Sequence, residues 1–259
     1  MSEPPRAESW SGLDTQLRAT VLEVAEETLA VALTSGRAQL PSPDEIRDAR
    51  LWEPAATFVT LERGTQLLGC IGTLEAREPL AVSVARHALG AAFADPRVPP
   101  ITHLDYVMMS IKVSVLSEPN LLAAESTREV SDAVRPGVDG LVLDAPGHHS
   151  TLLPSVWRHL PDVDGFLDAL WAKAGLPRDV WLPGTRVLRY TTDEFGSPGP
   201  RAPASSAVSG ARVPRSLGGG RAAVPQGPLP GHGRVLRPVP ASVPGVAARR
   251  PASPRPRPG

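Results

Sequence analysis

The sequence predicts an α+β fold in which helices pack on a mixed or antiparallel sheet. Three observations carry that prediction. Helical and strand-like periods are interspersed along residues 11–196 without a strict strand–helix–strand rhythm. Two neighbouring β-rich runs are separated by five residues containing Gly64, the pattern of a hairpin. A clean two-residue alternation over 109–116 marks a further strand between loops. A body of 196 residues has the size of one compact domain, or of two small ones sharing an interface.

Taken in order, residues 1–10 read as a flexible N-terminus. Ser11 then opens a helix in which Leu13, Leu17, Val21, Val24, Thr28 and Leu29 recur at three- and four-residue steps. Ser11 and Asp14 have the spacing of a capping box, and Gly36 is its stop. Pro41-Ser42-Pro43-Asp44 is a loop, with a short helical turn over 45–51. Residues 56–61 and 67–74 form the hairpin. Residues 80–93 return to helical spacing through Leu80, Val84, Ala88 and Ala91, and Asp95-Pro96 ends that helix because the residue before a proline is pushed out of the helical region. Residues 138–143 are a short strand, 144–150 a turn, and 151–159 fit strand or helix equally. Asp164 starts a helix with Phe166, Leu167, Leu170 and Trp171 on one side, closed by Gly175 and Pro177, and 185–190 form a last strand.

Charge divides the chain. It totals 27 basic and 27 acidic side chains, yet residues 197–259 hold ten Arg and no Asp, Glu or Lys, leaving 17 basic against 27 acidic in residues 1–196. The same 63 residues carry 14 of the 30 prolines and no aromatic residue. Such a segment buries too little apolar surface to offset an ordering entropy of roughly 1–2 kcal/mol per residue, so it is expected to be disordered. Three origins fit: a natural extension, an Arg-rich segment that binds phosphates, or GC-rich DNA translated in a shifted frame. The acidic body argues against nucleic acid as the partner of the domain itself. No apolar run reaches the roughly 18–20 residues of a membrane span, the N-terminus lacks a secretory pattern, and a single cysteine excludes a disulfide framework. Together these point to a cytoplasmic protein.

Few residues offer chemistry. Cys70 lies in Leu67-Leu68-Gly69-Cys70-Ile71-Gly72-Thr73, with Gly69 and Gly72 flanking it on a strand. Glycine within a strand marks a close approach of ligand or backbone. Cys70 thus reads either as a nucleophile assisted by one of the histidines (His87, His103, His148, His149 or His159) or as a small buried hydrophobe. Arg97 in Asp95-Pro96-Arg97 could grip an anion in fork geometry while Asp95 bonds turn amides, or the tripeptide is simply a helix stop. Asp139 before Gly140 divides in the same way. His148-His149 lacks a third metal ligand at a familiar spacing. No phosphate-cradling glycine loop, nucleophile elbow or metalloprotease helix is present, so the sequence names no cofactor and no reaction.

These segments carry a resemblance. Phe58-Val59-Thr60-Leu61 followed by Leu67-Leu68-Gly69-Cys70-Ile71-Gly72, then Ala91-Ala92-Phe93-Ala94-Asp95-Pro96-Arg97 and Pro100, resemble in order the AMMECR domain family, whose prokaryotic members are called AmmeMemoRadiSam system protein A. Val113-Ser114-Val115-Leu116-Ser117-Glu118-Pro119, Arg135-Pro136-Gly137-Val138-Asp139-Gly140, Leu152-Leu153-Pro154, Lys173-Ala174-Gly175-Leu176-Pro177 and Trp181 continue the likeness, which spans about 13–195. One position departs: the family usually carries arginine before Gly-Cys-Ile-Gly, and here Leu68 stands there. If that arginine binds an anion or lowers the thiol pKa, Leu68 removes the charge; if the motif is a packing device, Leu68 is harmless. The resemblance implies a two-lobed protein with a smaller second lobe and a cleft between, in a family of unestablished activity that occurs with a Memo-like protein and a radical SAM protein. It implies an accessory or substrate-binding subunit of a modification system; a Cys70-dependent enzyme and a docking scaffold are the alternatives.

Overall fold

The computed structural model describes Trp10, residues 12–205 and the pair Ala222–Ala223. Helix α1 (Thr15–Ser35) begins one turn later than the capping-box spacing suggests. Asp14 itself is the N-cap, accepting from the Leu17 amide at 2.8 Å, and Ser11 lies outside the described residues. Gly36 ends the helix at φ 66°, a left-handed conformation suited to glycine. Strand β1 (Arg37–Ala38), which pairs with β10 (Ala222–Ala223), follows. The helical turn predicted over 45–51 is a 3₁₀ turn at Ala49–Trp52. The hairpin is β2 (Thr57–Arg63) and β3 (Gln66–Gly72); its strands are longer than their apolar runs, so Gly64-Thr65 alone make the turn.

Helix α2 (Leu80–Phe93) stops before Asp95-Pro96, as the proline requires. Helix α3 (His103–Met108) leads into β4 (Ser110–Leu116), then β5 (Asn120–Leu121), α4 (Thr127–Ala133), β6 (Gly140–Ala145) and β7 (His148–Leu152). Residues 151–159 divide between the end of β7 and a 3₁₀ turn, Pro154–Arg158. Helix α5 (Val163–Ala174) starts from an Asp162 N-cap and closes at Gly175, before β8 (Arg186–Tyr190) and β9 (Thr192–Ser197).

The strands make two four-stranded sheets, β3-β2-β4-β9 and β5-β8-β6-β7, and every pairing is antiparallel. The fold is α+β. In the larger lobe, Val59, Leu61, Ile111, Val113 and Val115 pack under Leu17, Val21 and Leu29 of α1 and Leu80, Val84 and Ala88 of α2. In the smaller lobe, Leu141, Leu143, Leu152 and Val187 pack on Phe166, Leu170 and Trp171 of α5 and Val130 of α4. A third cluster forms the seam: Phe58, Cys70 and Leu116 from the first sheet meet Val142, Tyr190 and Leu153 from the second lobe. Strand β2 is therefore covered on both faces along its first half, where Thr57, Phe58, Val59 and Leu61 are all buried instead of alternating with exposed residues.

The body also runs further than its charge pattern suggests. Residues 197–205, assigned by composition to the tail, pack on the larger lobe: the Arg201 amide donates to the Val107 carbonyl at 2.9 Å and Ala204 is buried in the core. Packing on the larger lobe thus continues past residue 196, where the charge pattern changes, as far as Ala204. The disorder expected of the remaining segment falls on 206–221 and 224–259, outside the described residues.

Candidate functional site

Cys70 lies on an edge strand, β3, of the larger lobe's sheet, facing the seam, and is 3% exposed. It sits directly opposite Thr60 on β2, and the two side chains touch, Oγ1 to Sγ 2.9 Å. Both backbone polar groups of Cys70 turn outward, away from β2, where an edge strand has no ladder partner. The Asp95-Pro96-Arg97 turn meets them there. Asp95 Oδ2 accepts from the Cys70 amide at 2.9 Å, and Arg97 Nη2 donates to the Cys70 carbonyl at 2.9 Å. The two side chains are also locked to each other, Arg97 Nε to Asp95 Oδ1 at 2.9 Å. An ion pair thus does the work of a fifth strand at one residue. It fixes the backbone on which the thiol is mounted.

Burial pushes against ionisation of Asp95, but hydrogen bonds from the Arg97 side chain and from the Cys70 and Arg97 amides outweigh it and hold the carboxyl below its ordinary value. The thiol goes the other way. Burial raises it to about 11, and neither the Thr60 contact nor the nearby Arg97 charge reverses this. At neutral pH Cys70 is a thiol, not a thiolate, whereas an activated nucleophile needs the opposite shift. Its side-chain hydrogen bond among the described residues is with Thr60 rather than an imidazole. His87 bonds Thr57 at 2.8 Å within the larger lobe; His148 bonds the Ala174 carbonyl at 2.8 Å; and His149 lies 3.6 Å from Asp144.

The smaller lobe brings Lys173, from the last turn of α5. Its ammonium donates to the Thr151 carbonyl on β7 at 2.9 Å and lies within electrostatic reach of Arg97 and Cys70. Burial, and then the like charge of Arg97, lower Lys173 to about 8, with Cys70 acting in the opposite direction. Beside it the Thr151 hydroxyl donates to the Leu141 carbonyl and lies against the Tyr190 hydroxyl, each at 2.8 Å, so the seam is backed by a buried polar network.

The structure gathers Cys70, Asp95 and Arg97 of the sequence-predicted residues and separates the rest. Gly69 and Gly72 leave room for protein rather than ligand: a Cβ on Gly69 would stand 1.9 Å from the Ala91 carbonyl oxygen of α2, and one on Gly72 2.3 Å from the Phe58 ring. Asp139 is fully buried in its own loop, where it takes the Arg135 amide at 2.9 Å and the Arg135 guanidinium; it buckles the entry to β6. Leu68 is 7% exposed and belongs to the larger apolar core, so position 68 supplies packing in this chain. Thr60 and Lys173 are additions that sequence reading passed over. Lys173 had a signal: it is one of two lysines in a chain with 25 arginines.

A two-lobed α+β protein with a polar seam around a signature cysteine strand is thus defined. The family model described as AMMECR1 matches residues 22–195, and the chain belongs to that family. It is similar to a protein of Methanothermobacter thermautotrophicus, 35% identical over 184 residues that cover 70% of this chain and 94% of the relative. Protein TK0174 of Thermococcus kodakarensis is 35% identical over 170 residues, 62% of this chain and 82% of that protein. The crystal structure of the uncharacterized protein PH0010 from Pyrococcus horikoshii superposes with a TM-score of 0.67 at 31% identity, covering 74% of this chain and 96% of that one. Among the described residues no helix is long and apolar enough to cross a membrane.

Proposed function

We propose that the protein is an accessory, substrate-binding subunit of a cytoplasmic modification system, working through its interlobe seam with a Memo-like protein and a radical SAM protein. One observation carries the binding role: the Cys70 strand is clamped from one lobe by Asp95 and Arg97 and approached from the other by Lys173, while the thiol itself stays protonated. Such a site is polar and pre-organised but holds no activated nucleophile. The partner classes rest on the family resemblance.

The test is co-elution of the purified full chain with the Memo-like and radical SAM proteins of the same genome on size-exclusion chromatography. A stable complex that persists with Cys70→Ser supports the reading. Absence of any complex overturns it. Loss of the system's output on Cys70→Ser, with fold and complex intact, would transfer the role to a cysteine enzyme.

A further inference from the structure

Strand β5 is an edge strand of the smaller lobe's sheet. Asn120 and Leu121 face Arg189 and Leu188 of β8, and the Leu122 amide donates to the carbonyl of Val187, directly opposite, at 2.8 Å. Bonded and non-bonded pairs alternate along an antiparallel ladder, so Leu121 is a non-bonded residue whose N–H and C=O point outward from the edge. Its side chain is 63% exposed. It ends an apolar row, Val142–Leu188–Leu121, that starts in the interlobe seam and runs to the rim of the sheet. Leu122 turns to the other face and packs in one cluster with Val130 of α4.

A cleft of about 370 Å³ opens beside this edge, where Leu121 and Leu122 meet Glu125, Glu129 and Thr185. The Thr185 hydroxyl is buried there without a hydrogen-bond partner among the described residues. One Glu129 oxygen takes the Glu125 amide at 2.8 Å, but neither carboxylate is in an ion pair among the described residues. Arg186, which also lines the cleft, is held by Asp144.

We propose that this edge docks an extended segment of a partner protein as an added strand, with an apolar residue opposite Leu121 and a basic residue on each side of it. Such a strand pairs with the outward N–H and C=O of Leu121. Alternation then places its side chains: the residue opposite Leu121 lengthens the apolar row, and its two neighbours turn to the α4 face, where Glu125 and Glu129 stand. A second copy of this chain fits the edge badly, since two such edges would bring the same carboxylates together. The surface uses none of the residues around Cys70.

The probe is the peptide acetyl-Thr-Arg-Val-Arg-Thr-amide, added to the ¹⁵N-labelled full chain and followed by amide resonances. The expected result is a saturable shift of the Leu121, Leu122 and Glu125 amides with little change at Cys70. The shift should vanish when the valine nitrogen is methylated or both arginines are replaced by glutamate. Leu121→Pro removes the outward donor but no ladder bond, so it should abolish the response with the fold intact. Glu125→Gln, at an exposed position, should weaken binding about two- to fivefold. No saturable shift, shifts of equal size with the methylated or glutamate peptide, or shifts centred away from β5 overturn the proposal. So does movement of the Leu121 amide with protein concentration alone, which would assign the edge to a second copy.

Discussion

Cys70 is the residue on which competing accounts divide. With its thiol raised to about 11, against roughly 8.5 for a free cysteine, the folded protein holds about 300-fold less thiolate near neutral pH than an unfolded chain. Iodoacetamide should therefore label Cys70 at least 100-fold more slowly in the native state than in guanidinium, as read by mass spectrometry; faster native labelling would mark an activated thiol. Asp95 is fully buried with Arg97 as its ion partner, so Asp95→Asn takes a buried carboxylate from a half-buried guanidinium. It should cost about 3–5 kcal/mol in denaturant unfolding. Lys173 gives a pH signature. Its folded value of about 8 lies below the unfolded value of about 10.4, so between these limits the unfolded chain holds a proton that the folded chain has released. Stability contributed at this residue therefore rises with pH across that window. Its cost is borne in full below about pH 8, and the difference between wild type and Lys173→Gln in urea melts at pH 7.5 and 10 should move in favour of wild type.

At the scale of elements, the hairpin and α2 form a unit whose fit depends on Gly69. The Ala91 carbonyl occupies the space a side chain would need, and neither backbone can yield without parting strand from helix. Gly69→Ala should cost about 3 kcal/mol or more in denaturant melts, a large overpacking penalty. A near-neutral change would mean that α2 can slide on the sheet. The same elements show what was legible from sequence. The hairpin, α2 and β4 declared themselves through apolar periods. Strand β9 did not, because Thr192, Asp193 and Glu194 are polar and half-buried on an outer strand whose partner lies almost 80 positions back in sequence. The packing of 197–205 is illegible for a related reason: charge composition changes at residue 197 while packing continues to Ala204. Cys70, Asp95 and Arg97 stood out individually, but that they form one clamp depends on a contact across 25–27 residues that no local pattern encodes.

At the scale of the molecule, each lobe has its own core, and the seam joins them through Phe58, Cys70 and Leu116 against Val142, Leu153 and Tyr190. Tyr190 is fixed on the smaller lobe's side of this seam, since its hydroxyl contacts the Thr151 hydroxyl at 2.8 Å and donates to the Leu152 carbonyl at 3.1 Å, both within its own sheet. Tyr190→Phe should cost about 1–3 kcal/mol by leaving these buried groups short of a partner. The Arg158–Glu194 ion pair across the lobes is partly solvated, and Arg158→Ala should cost about 1 kcal/mol or less. Calorimetry of both variants reads the difference, and the reverse order would mean that the surface pair across the lobes outweighs the buried network behind the seam. The central claim is that this seam binds rather than reacts. The most direct test is co-elution of the full chain with purified Memo-like and radical SAM proteins, comparing wild type with Cys70→Ser. The account predicts one complex for both chains, with unchanged output; a complex that forms with both but works only when the thiol is present would contradict it.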